Sequence, residues 1–237
     1  VQKASIQDEI VKELENDGIV VEDYFKIYDA LENTKNKKVW IDKNSANYNI
    51  VKKIKTHNEV INCFTPALNQ KAIKNPTEIS NMKKAHLLDG IAMTKFIYWL
   101  KTNVGKEKIT ELSLGEKLEE FRTVAKSYIE PSFTPIVGYN DHGAIVHYSA
   151  NKESDYEIKD EGMVLIDSGG HYLEGTTDIT RTYILGDITE EQKLHYTSVL
   201  RGMIRLSKAK FLYGCRGLNL DILARGPLWD IGIDYKC

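Results

Sequence analysis

Apolar residues recur at helical spacing through Ile79, Met82, Leu87, Ile91, Phe96 and Leu100, a run too long and too apolar for a loop. Asn75-Pro76-Thr77-Glu78 opens it with a capping Asn, Pro at the first helical position and an acid in the first turn. A second amphipathic helix is predicted over 110–125, with Leu114, Leu118, Phe121 and Val124 inward and Glu116, Glu119 and Glu120 on a solvated face. Thr189-Glu190-Glu191-Gln192 reads as a capping box. The helix it opens is predicted to bury Leu194, Val199, Met203, Leu206 and Phe211, and a last helix begins near Asn219.

Between these helices the period changes to that of strands. Residues 133–138 and Ala144-Ile145-Val146-His147-Tyr148 flank a turn at 139–143. Met163-Val164-Leu165-Ile166 is an apolar run that delivers Asp167 into Ser168-Gly169-Gly170, and 176–182 is a strand rich in β-branched residues. The first seventy residues alternate instead. Strand patterns at 18–21, 38–41 and 59–64 are separated by helical spacing at 24–31 and by a helix bearing Tyr48, Val51 and Ile54, with Asn44 or Ser45 as its cap. That alternation points to parallel α/β layering. A boundary before the long helix divides the chain into 1–70, the end of an α/β domain, and 71–237, an α+β domain of antiparallel sheet and helices.

Composition narrows the function classes. Lys and Arg total 32 against 34 Asp and Glu, so no electrostatic case exists for nucleic acid or an anionic membrane. The three cysteines, Cys63, Cys215 and Cys237, form neither a disulfide framework nor a zinc knuckle and fit a reducing cytosol. No apolar run reaches membrane-spanning length, and the charged start is no signal peptide. The chain has no initiating Met, which suggests a piece of a longer protein.

The candidate chemistry lies in 163–183. Pairing the two strands with Asp167 opposite Asp178 would set two carboxylates roughly 5 Å apart on one face of a sheet. Like charges at that distance destabilise each other unless a cation lies between them. A solvated strand Asp beside a loop Asp fits the spacing too. By pattern alone His147 is a buried strand histidine, His142 an exposed loop residue, and His57, His86 and His195 surface residues.

The words DSGG and GTTDITRT, with GAIVHY upstream and LWDIGIDY downstream, resemble the pita-bread metallopeptidases, most closely the aminopeptidase P (Xaa-Pro aminopeptidase) branch. His171 departs from that pattern, where the family often has Gln. The resemblance implies that Asp167 and Asp178 are metal ligands, that Asp178 bridges two metal ions, and that His147 contacts substrate and assists proton transfer. It also implies three further ligands, a His and two Glu beyond LWDIGIDY, so residues 71–237 would be the first half of the domain and inactive alone. Cys237 would stand where a relative has His. Carboxylate-rich ligation suits manganese, with cobalt, iron and zinc as alternatives. The implied function is removal of an N-terminal residue from peptides with proline second, by a cytosolic homodimer. The alternatives are a prolidase acting on Xaa-Pro dipeptides and a pita-bread module that binds peptides without catalysis.

Overall fold

The computed structural model describes residues 5–235, so Cys237 lies outside the described residues. Two compact units comprise residues 1–75 and 76–237. In the first, the order is α1 (Asp8–Asn16), α2 (Lys26–Asn33), β1 (Lys38–Ile41), α3 (Tyr48–His57), β2 (Glu59–Asn62) and α4 (Pro66–Ala72). β1 and β2 run parallel, Lys38 opposite Glu59, with α3 as the crossover that buries Val51 and Ile54. The cap of α3 is Asn47, whose side chain accepts from the Asn49 N–H (2.9 Å), not Asn44 or Ser45. Those two turn about Asp42 instead, with the Asn44 N–H donating to its carboxylate (2.9 Å). No strand forms at 18–21, where Val20 is exposed.

The second unit contains α5 (Pro76–Asn103), β3 (Ile109–Thr110), α6 (Glu111–Thr123), β4 (Tyr128–Pro131), β5 (Ile136–Tyr139) and a 3-10 turn (Asn140–Ala144). β6 (Glu157–Ile158), β7 (Met163–Ser168), β8 (Gly170–Tyr172), β9 (Gly175–Thr176), β10 (Ile179–Ile184), α7 (Glu190–Ser207) and α8 (Gly217–Trp229) follow. Three antiparallel sheets result, in orders β10-β7-β5, β4-β8-β9 and β3-β6. This is the expected α+β architecture. β7 alternates strictly: Val164, Ile166 and Ser168 are buried, while Met163, Leu165 and Asp167 lie on the other face. Val164 and Ile166 share a core with Phe96 and Leu100 of α5 and with Leu114 and Leu118 of α6. Strand alternation therefore turns Asp167 away from the core.

The capping signals perform as their chemistry requires. Thr110 and Ser113 cap α6 reciprocally, and Thr189 and Gln192 do the same for α7 (3.1 and 2.9 Å). The buried faces differ from expectation. At 100° per residue Leu87 and Phe96 stand on opposite sides of α5. The buried side is Ala85, Asp89, Ala92, Met93, Phe96 and Leu100, whereas Ile79, Met82, Leu87 and Ile91 are exposed. α7 likewise buries Ser198 and Gly202, because α8 crosses it closely: a Cβ on Gly202 would lie 2.2 Å from the Ala224 carbonyl oxygen. Leu194, Val199, Met203, Leu206 and Phe211 are each at least 40% exposed, and Val124 also faces outward.

Asp89 is fully buried because it has a cation. Arg122 of α6 donates through Nε to Asp89 Oδ1 (2.6 Å) and through Nη2 to Asp89 Oδ2 (3.4 Å) and Ser168 Oγ (3.1 Å). The Tyr172 hydroxyl donates to Asp89 Oδ1 (3.0 Å). Burial first, then the charge of Asp89, pushes the Tyr172 phenol well above its ordinary pKa, so it remains a donor throughout the neutral range. Arg122→Met should cost about 3–5 kcal/mol, because it leaves a buried carboxylate without its cation. Urea unfolding is the measurement, and Asp89→Asn/Arg122→Met should lose less than the single variant.

Candidate active site

The hairpin that carries both aspartates turns at Leu173-Glu174. His171 pairs with Thr176, Tyr172 with Gly175 and Asp167 with Thr180, all in one register. The expected pairing of Asp167 with Asp178 is thus two residues off. Asp178 therefore does not stand opposite Asp167, and with Asp178 exposed, mutual repulsion no longer argues by itself for an intervening cation.

The predicted strand 176–182 is in fact broken at Thr177 and Asp178. Thr177 is buried, its N–H donating to the Gly170 carbonyl (2.9 Å) while Gly170 N–H donates to Thr177 Oγ1 (3.0 Å). Ser132 Oγ donates to the Thr177 carbonyl (2.9 Å). Gly169 lies beneath this knot, where a Cβ would come within 2.0 Å of the Thr177 oxygen and 2.3 Å of Ser132 Oγ. Only glycine permits so close an approach. The break lifts Asp178 out of the ladder at the end of β10, beside the end of β7 that bears Asp167.

His147 occupies a turn, not the expected strand. The Tyr148 N–H closes it on the Ile145 carbonyl (3.1 Å), and His147 takes the third position with φ 56°, a left-handed conformation that costs a non-glycine residue about 1–2 kcal/mol. Strand burial would hide the imidazole; the turn exposes it. A concavity of about 480 Å³ brings His147 together with Asp167 and Asp178, walled by Phe133, Ile136 and Tyr148. All three residues singled out from the sequence therefore meet at one place.

The remaining histidines divide differently from expectation. His86 and His57 are exposed, as expected, whereas His195, expected on the helix surface, is half-buried. His171 Nδ1 lies 2.9 Å from Thr176 Oγ1 across the β8–β9 pair. His142, expected in an exposed loop, is buried at 8% exposure. Its Nδ1 lies 2.9 and 3.0 Å from the two oxygens of the fully buried Glu111, and its ring stacks on Tyr148 and Tyr156 at centroid distances of 4.3 and 3.7 Å. No local pattern announces this, since Glu111 resembles any acid in a first helical turn and its partners lie 28–45 residues away.

The donor set suits a hard divalent cation. Asp167 Oδ1 is buried and has no hydrogen-bond partner. A buried carboxylate oxygen left bare is costly unless a cation takes it up. Two carboxylates are nevertheless too few for a divalent ion, and no group of three or more His, Cys, Asp or Glu side chains is arranged to hold a metal among the described residues.

Comparison with known proteins bears on this geometry. Residues 80–237 match the model of metallopeptidase family M24, and residues 1–78 match the creatinase/prolidase N-terminal domain. Xaa-Pro aminopeptidase 1 of Dictyostelium discoideum is 39% identical over 243 residues, covering 99% of this chain and 38% of that protein. The chain thus spans about two fifths of the length of this curated relative. The crystal structure of X-prolyl aminopeptidase from Caenorhabditis elegans, described as a cytosolic enzyme with a di-nuclear active site, superposes with a TM-score of 0.88 at 29% identity, over 99% of this chain and 40% of that one. Prolidase from Pyrococcus furiosus superposes with a TM-score of 0.68 at 25% identity, over 90% and 60% of the two chains.

Gly169→Ala should force Thr177 and Asp178 outward and destabilise the fold by about 1–3 kcal/mol. Gly90→Ala, mid-helix with nothing within 4 Å of the new Cβ, should stabilise it by about 0.4–1 kcal/mol. Paired denaturant titrations of the two variants measure both signs.

Proposed function

Because the chain belongs to metallopeptidase family M24, we propose that it carries part of the catalytic centre of a dimetal aminopeptidase that removes the N-terminal residue from peptides with proline second. The observation that carries the proposal is the bare, buried Oδ1 of Asp167 in a concavity shared with Asp178 and His147. The relatives named above support the substrate class, both through 39% identity and through a shared fold.

In this reading residues 71–237 form the catalytic unit and residues 1–70 the end of a preceding domain. Asp167 and Asp178 would supply part of the ligand set of two divalent ions. Bound ions supply Lewis-acid charge that lowers the pKa of water and stabilises negative charge developing on a carbonyl oxygen. The chain's own residues position and shuttle. His147 presents an exposed imidazole, whose N–H can donate to the scissile carbonyl oxygen and whose ring nitrogens can exchange a proton with the leaving amine. Phe133 and Ile136 give the concavity apolar walls that suit a pyrrolidine ring. The oxygen-rich donors favour manganese over cobalt, iron and zinc. The family resemblance favours a homodimer, and the free thiols of Cys63 and Cys215 fit the cytosol.

A prolidase is the second reading, supported by the fold shared with the Pyrococcus furiosus enzyme. The discriminating experiment is hydrolysis of an Arg-Pro-Pro tripeptide by the full-length protein with manganese, beside the Asp178→Ala variant. The expected outcome is cleavage of the first bond, with kcat at least about 10³-fold lower in the variant. Cleavage of Xaa-Pro dipeptides alone would identify a prolidase. Absence of both activities from folded, metal-loaded protein would favour a peptide-binding module.

A further inference from the structure

We propose that Glu111 is a positioning residue for His147, acting through Tyr148 and His142 to hold the turn that presents the imidazole. The proposal rests on the catalytic reading of His147 given above. A residue held at φ 56° without being glycine relaxes unless its neighbours fix it. The backbone bond from Tyr148 to Ile145 closes the turn but does not anchor it.

Both flanks of that turn are tied to one carboxylate. On the C-terminal side, the Tyr148 hydroxyl lies 3.1 Å from Glu111 Oε2 and 3.1 Å from the Ser154 carbonyl, with Ser154 Oγ at 3.2 Å. On the N-terminal side, His142 Nδ1–H donates to Glu111, and its ring lies between those of Tyr148 and Tyr156. The carboxylate is itself immobile. It is fully buried in the first turn of α6 and accepts the backbone N–H groups of Tyr139 (2.7 Å) and Tyr156 (3.1 Å), which fix the segments entering and leaving the loop. Burial, with the charge of Glu111 also contributing, raises the Tyr148 phenol above its ordinary pKa, so it remains a donor at working pH. Tyr148 adjoins His147 in sequence and lines the same concavity. Displacing its ring moves the backbone that aims His147.

Two mild variants test this in the full-length protein. Tyr148→Phe removes the hydroxyl and keeps the ring stack. Glu111→Gln keeps the shape but presents an amide N–H where Tyr148 and Tyr156 need an acceptor. The readouts are the 15N-labelled imidazole resonances of His147, assigned by their loss in His147→Ala, and kcat and KM on the tripeptide. Both variants are expected to shift the resonances and to lower kcat about 10- to 100-fold with little change in KM, the signature of a misplaced group. Unmoved resonances and unchanged kcat in both variants, with His147→Ala inactive, would overturn the positioning role and leave the catalytic reading intact. If His147→Ala retains full turnover, the catalytic reading fails, and the resonances alone decide: shifted supports the tether, unshifted overturns it.

Discussion

The buried pair of Asp89 and Arg122 is the constraint on which the second unit depends. Removing two charges from water is costly, and their mutual attraction offsets that cost only when the remaining donors and acceptors are also met. Here they are. Tyr172 of β8 takes one Asp89 oxygen, Arg122 reaches Ser168 at the end of β7, and both helices contribute one member of the pair. Two helices and two strands some 40 or more residues further along the chain are tied together by a few directional bonds. Hydrophobic packing of Phe96, Leu118 and Ile166 supplies attraction without direction, whereas the ion pair specifies one register. Ser168 precedes the glycine knot and follows Asp167, so the position of the candidate ligand is set from behind by a side chain on another helix.

That dependence explains what the sequence could disclose. Helix starts were legible because Pro76 carries a helical φ in its own ring, and because Thr110 and Thr189 act through neighbours three residues away. β7 was legible because alternation is local, and the motif words identified Asp167, Asp178 and His147, which do meet in one concavity. The buried face of α5 was not legible, since its centre is a charged residue whose partner lies 33 positions on and its flanks are Ala85 and Ala92. The apolar residues of α7 misled for a related reason: close helix crossing selects Ser198 and Gly202 for size, not hydrophobicity.

The register error has a different origin. Two strands with turn residues between them can pair in registers two apart without exchanging faces, and pattern alone does not choose. The choice falls to Thr177, which folds inward to satisfy Gly170, and to Gly169, which tolerates the close approach of its backbone. Ile145 and Val146 are β-branched and so suggest a strand around His147, yet the Tyr148 N–H closes a turn on the Ile145 carbonyl, and the side chains of His142 and Tyr148 that flank it are bonded to a distant residue, Glu111.

Hydrogen-bond accounting separates the acidic groups by role. Glu111 accepts from two backbone N–H groups and lies within bonding distance of two side chains, and Asp89 accepts from Arg122 and Tyr172. Both carboxylates are buried and direct their bonding to donors of the fold itself. Asp167 is the opposite case: one oxygen is buried and bare on the face of β7 that points away from the core. Glu174 Oε2 and the Tyr183 hydroxyl are likewise buried without partners, but of these three residues Asp167 is the one that lines the concavity with Asp178 and His147, where an ion could complete its bonding.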